Sequence, residues 1–350
     1  LVALRADHRS GVQGRGVLGR TEAHPGQMLS RHRRQAPPEQ EHQEIGKLNP
    51  IPFTSPCLGG SSLTMPRLAP SQIGQFLSEG FLVVDHAFSP STLDALIAEF
   101  TTTVDRNAAI ALEDGLIVNT FPDEPFEKRL ARVVESAPDP VAANTPGCVL
   151  FENLRGKHKS DAMFDLMTHP DILEIVESII GPEILAHPQF NVRAKLPNQD
   201  QSVVPWHQDL GYLELDAQDT LMVNFWIPLV DSNKENGCLE VIPGSHQVYV
   251  DHVEGLGPAG NFKGILDDLV DNSSAVSCPV PKGGVLVIQH RTIHRSVPNT
   301  SKTIRWSLDL RYSDPALPTG REGVPGFIAR SESDPNRAAS SLNDWLSITP

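Results

Sequence analysis

The sequence predicts an α+β protein, helical in its N-terminal part and built around a β-sandwich or jelly roll beyond it. Two observations carry this. Between residues 68 and 180 apolar side chains recur at helical spacing, and past residue 183 the period falls to two. The first helix follows Pro70-Ser71, with Ile73, Phe76 and Leu77 on one face and Gly80 as its stop. Phe81-Leu82-Val83-Val84 is a short buried strand by composition. Ser89-Pro90 sets an N-cap and an N1 residue before Leu93, Leu96, Ile97 and Phe100, the apolar face of a second helix. Residues 104–150 show no assignable pattern. Helices over Ser160–Met167 and Asp171–Ile180 follow, the second closed by Gly181-Pro182.

The strands come next. Ile184 to Leu196 sets Phe190, Val192 and Ala194 against Asn191, Arg193 and Lys195. Thr220 to Leu229 alternates as well, with Leu221, Val223, Phe225, Ile227 and Leu229 opposed to Met222, Asn224, Trp226 and Pro228. Leu239 to Ile242, Val285 to Gln289 and Thr303 to Tyr312 supply further strands, and no internal repeat is present.

Composition narrows the function classes. A hydrophobic fraction of 39% and four tryptophans support a substantial core, in one large domain or two ordinary ones. No run approaches the roughly 18–20 apolar residues of a membrane span. Cys57, Cys148, Cys238 and Cys278 lack CxxC spacing, which argues against a zinc ribbon or disulfide scaffold and for reduced thiols in a cytoplasmic setting. The formal net charge of -14 argues against a general nucleic-acid binder. A small-molecule substrate is the expected partner, with monomer and homodimer both open. Residues 1–64 carry 8 Lys/Arg and 5 Asp/Glu, so 65–350 hold -17 of that total. Rich in Gln, Pro, Gly, Ser and Arg, residues 1–64 read as a disordered extension or an overlong gene model, with Met65 directly before the organised part. No apolar h-region marks a secretory signal, while the arginines keep a transit peptide as the alternative.

Chemistry concentrates in His207, Asp209 and His294. The first two stand in Pro205-Trp206-His207-Gln208-Asp209-Leu210, the third in Ile293-His294-Arg295-Ser296-Val297-Pro298-Asn299. On an extended strand residues i and i+2 share a face, so His207 and Asp209 reach one metal and Gln208 points away. A histidine from a distant strand completes a 2-His-1-carboxylate face. The opposite side stays open, which suits Fe(II) that must also hold a co-substrate and O2. An HxD triplet alone is common by chance; His294, and Arg305 eleven residues after it, give it weight. His290, four residues before His294, is the rival third ligand. His246 reads as structural, and His158, His169, His187 and His252 as core or surface residues.

Trp206-His207-Gln208-Asp209, then Asn236-Gly237-Cys238-Leu239-Glu240-Val241-Ile242-Pro243-Gly244-Ser245-His246, then His294-Arg295-Ser296-Val297-Pro298-Asn299 resemble the phytanoyl-CoA dioxygenase family over about residues 68–315. The resemblance implies a double-stranded β-helix (jelly roll) core with flanking N-terminal helices, Fe(II), and 2-oxoglutarate as co-substrate. On this chain it implies iron ligands His207, Asp209 and His294, with Arg305 on the distal carboxylate of 2-oxoglutarate and Ser296 nearby. Residues 65–350 then form a single oxygenase domain, with 316–350 as a C-terminal lid or tail. An arginine fork suits a carboxylate and stays charged when buried, whatever the family.

Asn224 and Lys195 are assigned to the co-substrate side, and Trp226, Arg193 and Tyr212 to the substrate. A solvated strand face is the alternative for Arg193 and Lys195, and plain packing for Tyr212, Trp206 and Trp226. Loops 104–150 and 251–280 are the expected lids. Arg311, Arg321 and Arg330 are further cations without a motif. The expected reaction is oxidative decarboxylation of 2-oxoglutarate to succinate and CO2, coupled to C–H hydroxylation, with desaturation or ring chemistry open. Two other classes stay in view: a cupin-like metalloprotein with a different oxidation chemistry, for which a buried Arg305 has no use, and a non-catalytic jelly-roll binding module, which needs no intact triad.

Overall fold

Proline and glycine punctuate the first element. In the computed structural model, which describes residues 68–348 apart from 146, 259 and 322, helix α1 (Pro70–Glu79) begins on a proline, where the missing N–H costs nothing. The stretch 1–64 lies outside the described residues. Gly80 ends α1 in the left-handed region (φ 80°), donating its N–H to Phe76 O at 3.0 Å. A Cβ at Gly80 would also collide with Thr292 and His246, so the position demands glycine twice over.

Strand β1 (Phe81–Val84) follows, then a 3-10 turn (Pro90–Leu93) leading into α2 (Asp94–Glu113). Ser89 precedes this turn without a capping bond from its side chain to the helix. Helix α2 buries Leu96, Phe100, Val104, Ala108 and Ala111, and α3 (Phe126–Glu135) buries Leu130, Ala131, Val133 and Val134. Phe126 stacks on Trp306 at 4.8 Å between centroids. Within the expected lid 104–150, the apolar faces of α2 and α3 are thus core rather than lid. Ser160 caps α4 (Asp161–Met167), accepting the Met163 N–H at 3.2 Å, a bond worth about 1 kcal/mol. α5 (Pro170–Ile180) completes the N-terminal helices.

The strands are β2 (Ile184–Ala186), β3 (Asn191–Lys195), β4 (Val223–Pro228), β5 (Leu239–Val241), β6 (Val253–Leu256), β7 (Phe262–Gly264), β8 (Val276–Cys278), β9 (Val285–Gln289), β10 (His294–Ser296), β11 (Arg305–Ser313) and β12 (Phe327–Arg330). The segment expected as one strand from Ile184 is two, interrupted at His187-Pro188, where proline has no N–H for a ladder. Every pairing is antiparallel. A seven-stranded sheet runs β1-β9-β4-β11-β2-β12, with β3 also on β11; a three-stranded sheet runs β10-β5-β8; β6 and β7 form a hairpin.

Within the stretch expected as a lid or tail, the described residues include a strand and a helix packed on the rest of the domain. β12 pairs with β2, and α6 (Leu342–Ile348) inserts Trp345 against Phe164, Phe190 and Phe327. An aromatic of that size stays buried once it has a pocket.

Alternation along the large sheet separates packing from chemistry. Val223, Phe225 and Ile227 of β4, Val285 and Val287 of β9, and Trp306, Leu308, Leu310 and Tyr312 of β11 join the core under the helices. Trp226, Leu286 and Ile288 point the other way and pack with Leu239, Val241 and Cys278 of the small sheet. No helix among the described residues is long and apolar enough to cross a membrane.

Candidate metal centre and its cavity

Between the two sheets lies a cavity of about 310 Å3, lined by β3, β4 and β11 on one side and by β5 and β10 on the other. His207 and His294 hold each other in place through an isolated antiparallel bridge, with His207 N to His294 O at 3.0 Å and His294 N to His207 O at 2.9 Å. β10 is short, but its pairing with β5 fixes His294 opposite Val241. Gln208 is extended (φ -109°, ψ 136°), and Asp209 then opens a 3-10 turn (Asp209–Tyr212) instead of continuing a strand. The i, i+2 relation survives because only the linking residue needs to be extended.

Ligand atoms of His207, Asp209 and His294 all lie within 4.8 Å of one another, with His207 Nε2 to Asp209 Oδ1 at 3.8 Å. The tautomers follow from the partners. His207 Nδ1 faces Pro205 O at 3.0 Å and His294 Nδ1 faces Thr292 O at 2.9 Å. A carbonyl only accepts, so both Nδ1 atoms carry the proton and both Nε2 lone pairs are left for a metal. Burial, and then the adjacent His294, push His207 down to about 3, so it stays neutral near pH 7. Burial would raise the Asp209 carboxyl, but Arg311, with the two histidines, holds it well below the usual carboxylate range. Arg311 Nη2 donates to Asp209 Oδ1 at 2.9 Å, and Asn224 Nδ2 donates to Oδ2. Two imidazole nitrogens and one ionised carboxylate oxygen, facing a cavity, fit a first-row dication such as Fe(II).

His290 stays outside this cluster; its backbone carbonyl accepts the Leu210 N–H at 2.9 Å. Gln208 does point away. Its Nε2 donates to Val248 O (2.7 Å) and Arg291 O (2.6 Å), and its Oε1 accepts from Val250 N (3.0 Å). His252 Nε2 accepts the Gln208 N–H at 2.8 Å, so a histidine read as core or surface braces the segment between the ligands. His246 bonds Leu77 O, a packing role.

At the other end of the cavity Arg305 is 2% exposed. It donates to Gly237 O (3.2 Å) and Ser307 Oγ (2.6 Å) and stands 5.1 Å from the Trp226 ring centroid, with no carboxylate in ion-pair contact among the described residues. Burial lowers its pKa to about 10, still charged at pH 7. Lys195 is its register partner across β3 and β11, and Lys195 Nζ donates to Ser296 Oγ at 2.9 Å. Ser296 Oγ also accepts the Val204 N–H at 2.9 Å. Burial, and then the neighbouring Arg305 and Arg193, push Lys195 down to about 6. Gly237 (φ 88°) lets the lysine stem pass, since a Cβ there would meet Val297 O at 2.8 Å and Lys195 Cε at 3.0 Å.

Other expected residues divide. Arg193 and Trp226 line the cavity, and Arg193 pairs with Asp309. Asn224 lines it too, but its amide nitrogen serves Asp209 rather than a co-substrate. Tyr212 takes the packing alternative: its hydroxyl is engaged by Lys263 backbone atoms and its ring packs edge-on to His207 (5.8 Å). Of the motif-free cations, Arg311 reaches the centre, whereas Arg330 pairs with Glu177 and Arg321 does not line the cavity. Parity was the available signal for Arg311, six residues beyond Arg305 on the same face of β11. Of the expected lids, 251–280 contributes Phe262.

Comparison with known proteins gives a consistent result. The family model described as Phytanoyl-CoA dioxygenase (PhyH) matches residues 76–307. "Phytanoyl-CoA dioxygenase domain-containing protein 1" of Danio rerio is 29% identical over 274 residues, covering 69% of this chain and 88% of its own. The non-heme monooxygenase ThoJ in its apo form superposes with a TM-score of 0.54 at 21% identity, covering 79% of this chain and 94% of its own. EctD from S. alaskensis, also apo, gives 0.51 at 18%, covering 85% and 95%. At such identities these two likenesses speak for the fold alone.

Proposed function

Since the chain belongs to the phytanoyl-CoA dioxygenase family and is an Fe(II)- and 2-oxoglutarate-dependent oxidoreductase, we propose that it hydroxylates an unactivated C–H of a small organic substrate. The fold is then a double-stranded β-helix within one domain, residues 65–350. The observation that carries this reading is one cavity with a His-Asp-His donor set at one end and, at the other, a buried arginine with no carboxylate partner among the described residues.

His207 Nε2, Asp209 and His294 Nε2 would hold the iron, which would supply O2 activation coupled to oxidative decarboxylation of 2-oxoglutarate to succinate and CO2. The rest is the work of the chain. Arg305 receives the distal carboxylate of the co-substrate, and Ser296 and Lys195 stand beside it. Arg311 and Asn224 keep Asp209 ionised and oriented, and the two Nδ1–H bonds keep the imidazoles turned toward the metal. Trp226, Leu239 and Ile288 give the cavity apolar walls that exclude water.

Anaerobic titration of Fe(II)-loaded protein with 2-oxoglutarate tests this. A weak visible charge-transfer band that appears in the unmodified protein and is lost in His207→Ala supports the assignment. Iron bound without a band on adding 2-oxoglutarate refutes it.

A further inference from the structure

Six basic side chains line the cavity, Arg155, Arg193, Lys195, Arg295, Arg305 and Arg311, against two carboxylates, Asp209 and Asp309. Three of the six are matched: Arg311 by Asp209, Arg193 by Asp309, and Arg295 by Glu240 at 2.8 Å. Arg155, Lys195 and Arg305 have no carboxylate in ion-pair contact among the described residues. A bound dication and a bound dicarboxylate cancel each other in charge. Loading the site as proposed above therefore leaves the excess positive charge in place, in a chain whose formal charge is -14.

The excess sits at two stations. Lys195 and Arg305 are opposite each other in the β3–β11 register, at the end read as the co-substrate anchor. Arg193 lies two residues back along β3, about 7 Å away on the same face. Beyond β3, Gly156 and Val192 form an isolated antiparallel bridge, with N–H···O distances of 3.0 and 2.7 Å. Residues on either side of such a bridge run in opposite directions, so Arg155 stands across from Arg193. Both line the cavity. The Arg155 guanidinium lies 3.6 Å over the Phe151 ring and donates to Asn144 Oδ1 at 3.2 Å, so neutral groups hold it in place. The contact from Arg193 to Asp309 is through Nε, one of several donors a guanidinium offers.

We propose that Arg155 and Arg193 together form an anion station for the primary substrate, which is a small organic acid bearing a carboxylate or phosphate on an apolar body. The apolar part is received by Trp226, Phe262 and Val204, which line the same cavity. The assignment rests on the co-substrate reading, since it presumes that Lys195 and Arg305 are taken by 2-oxoglutarate.

Calorimetric titration of the full chain, loaded with Mn(II) in place of iron and saturated with 2-oxoglutarate, tests it with three probes: hexanoate, hexyl phosphate and neutral hexanamide. At least one anion is expected to bind about tenfold or more tighter than the amide, a typical margin when a polar site loses its partner. The better of the two anions identifies the group. Arg155→Gln and Arg193→Gln should each remove most of that preference, Arg155→Lys should keep part of it, and 2-oxoglutarate affinity in Arg155→Gln should stay within about twofold. The double variant Arg193→Gln/Asp309→Asn leaves no unpaired carboxylate and guards against misfolding.

Equal binding of anions and amide, or no saturable binding of either anion, overturns the proposal. So does a preference that survives both glutamine variants, or a loss of 2-oxoglutarate affinity in Arg155→Gln. Failure of the co-substrate reading shows separately, as absence of 2-oxoglutarate saturation in the unmodified protein. The probe titrations are then read on the Mn(II)-loaded chain alone.

Discussion

Replacing Arg311 by methionine removes the guanidinium that contacts Asp209 while keeping much of its bulk. The two side chains are 5% and 9% exposed, with Nη2 to Oδ1 at 2.9 Å. Two charges about 4 Å apart at an effective dielectric of about 20 attract by roughly 4 kcal/mol. Removing one member of a buried pair typically costs about 3–5 kcal/mol. Asn224 still donates to Oδ2, and the carboxyl can protonate, so the lower end, about 3 kcal/mol, is expected for metal-free protein. At about 2–4 °C per kcal/mol for a domain of this size, melting should fall by roughly 6–12 °C. Mn(II) should narrow that gap, because a dication restores a positive partner for Asp209.

The pH dependence separates this from generic damage. In the unmodified protein the Asp209 carboxyl lies below its unfolded value. It therefore contributes stability above the ordinary carboxylate range, and that contribution is lost as pH falls through the lowered value. Without Arg311 less opposes burial, and the carboxyl moves up from its lowered position. Protons then compete with the metal at higher pH, and the acid limb of Mn(II) affinity moves up. Thermal melts and Mn(II) titrations between about pH 4 and 8 read both effects. An unchanged melt together with an unchanged acid limb would refute the idea that Arg311 keeps Asp209 ionised.

Three further outcomes follow from the same geometry. Arg305→Ala should retain iron but lose at least about 30-fold in 2-oxoglutarate affinity, since truncating a buried charge partner costs about 2–5 kcal/mol; a loss under about tenfold by calorimetry counts against the anchor. Lys195, pushed down to about 6, is neutral near pH 8 while the unfolded chain is protonated there, so its contribution to stability rises with pH from about 6 toward the usual lysine value. A carboxylate arriving beside it restores the charge. Binding of 2-oxoglutarate near pH 8 should therefore take up about one proton, read by calorimetry in buffers of different ionisation heat, and Lys195→Met should abolish the uptake. Gln208→Ala strands the carbonyls of Val248 and Arg291 and the N–H of Val250, at about 1–3 kcal/mol per unsatisfied buried group. Metal affinity should drop about 10–100-fold, as for other groups that orient ligands, and a variant with unchanged affinity and stability would remove Gln208 from that role.

Period two was the most legible feature of the sequence. The alternation over 184–196 and 220–229 divides core from cavity as the structure does, which is why Asn224, Arg193 and Lys195 could be placed on faces that line the cavity, whereas Arg305 was marked by the resemblance and its spacing after His294. Less legible were elements whose identity depends on distant partners. β8 and β10 have three residues each and exist through their pairing with β5. The helical period runs through Val104, Ala108 and Ala111, but Asn107 interrupts it as a buried polar residue whose side chain bonds Glu152 O across 45 positions. Tyr212 looked available because its position beside Asp209 says nothing about the Lys263 backbone that engages its hydroxyl. The opposition of Arg155 and Arg193 depends on one bridge between segments 36 residues apart, and no local pattern announces it.

β11 also works as a ruler. Arg305, Ser307, Asp309 and Arg311 occupy one face of a strand that lies inside the large sheet, so about 20 Å of backbone separates the cationic anchor from the guanidinium at the metal end. Sliding that strand by one residue would send four polar side chains into the helical core, so its register moves only in steps of two, about 7 Å each. One methylene more or less in an oxo-dicarboxylate changes its length by far less than such a step. The choice of co-substrate is therefore the trait this chain is least free to alter as its sequence drifts. The proposed substrate side, with the Arg155 segment and the β6–β7 hairpin, is where descendants of the same fold can diverge.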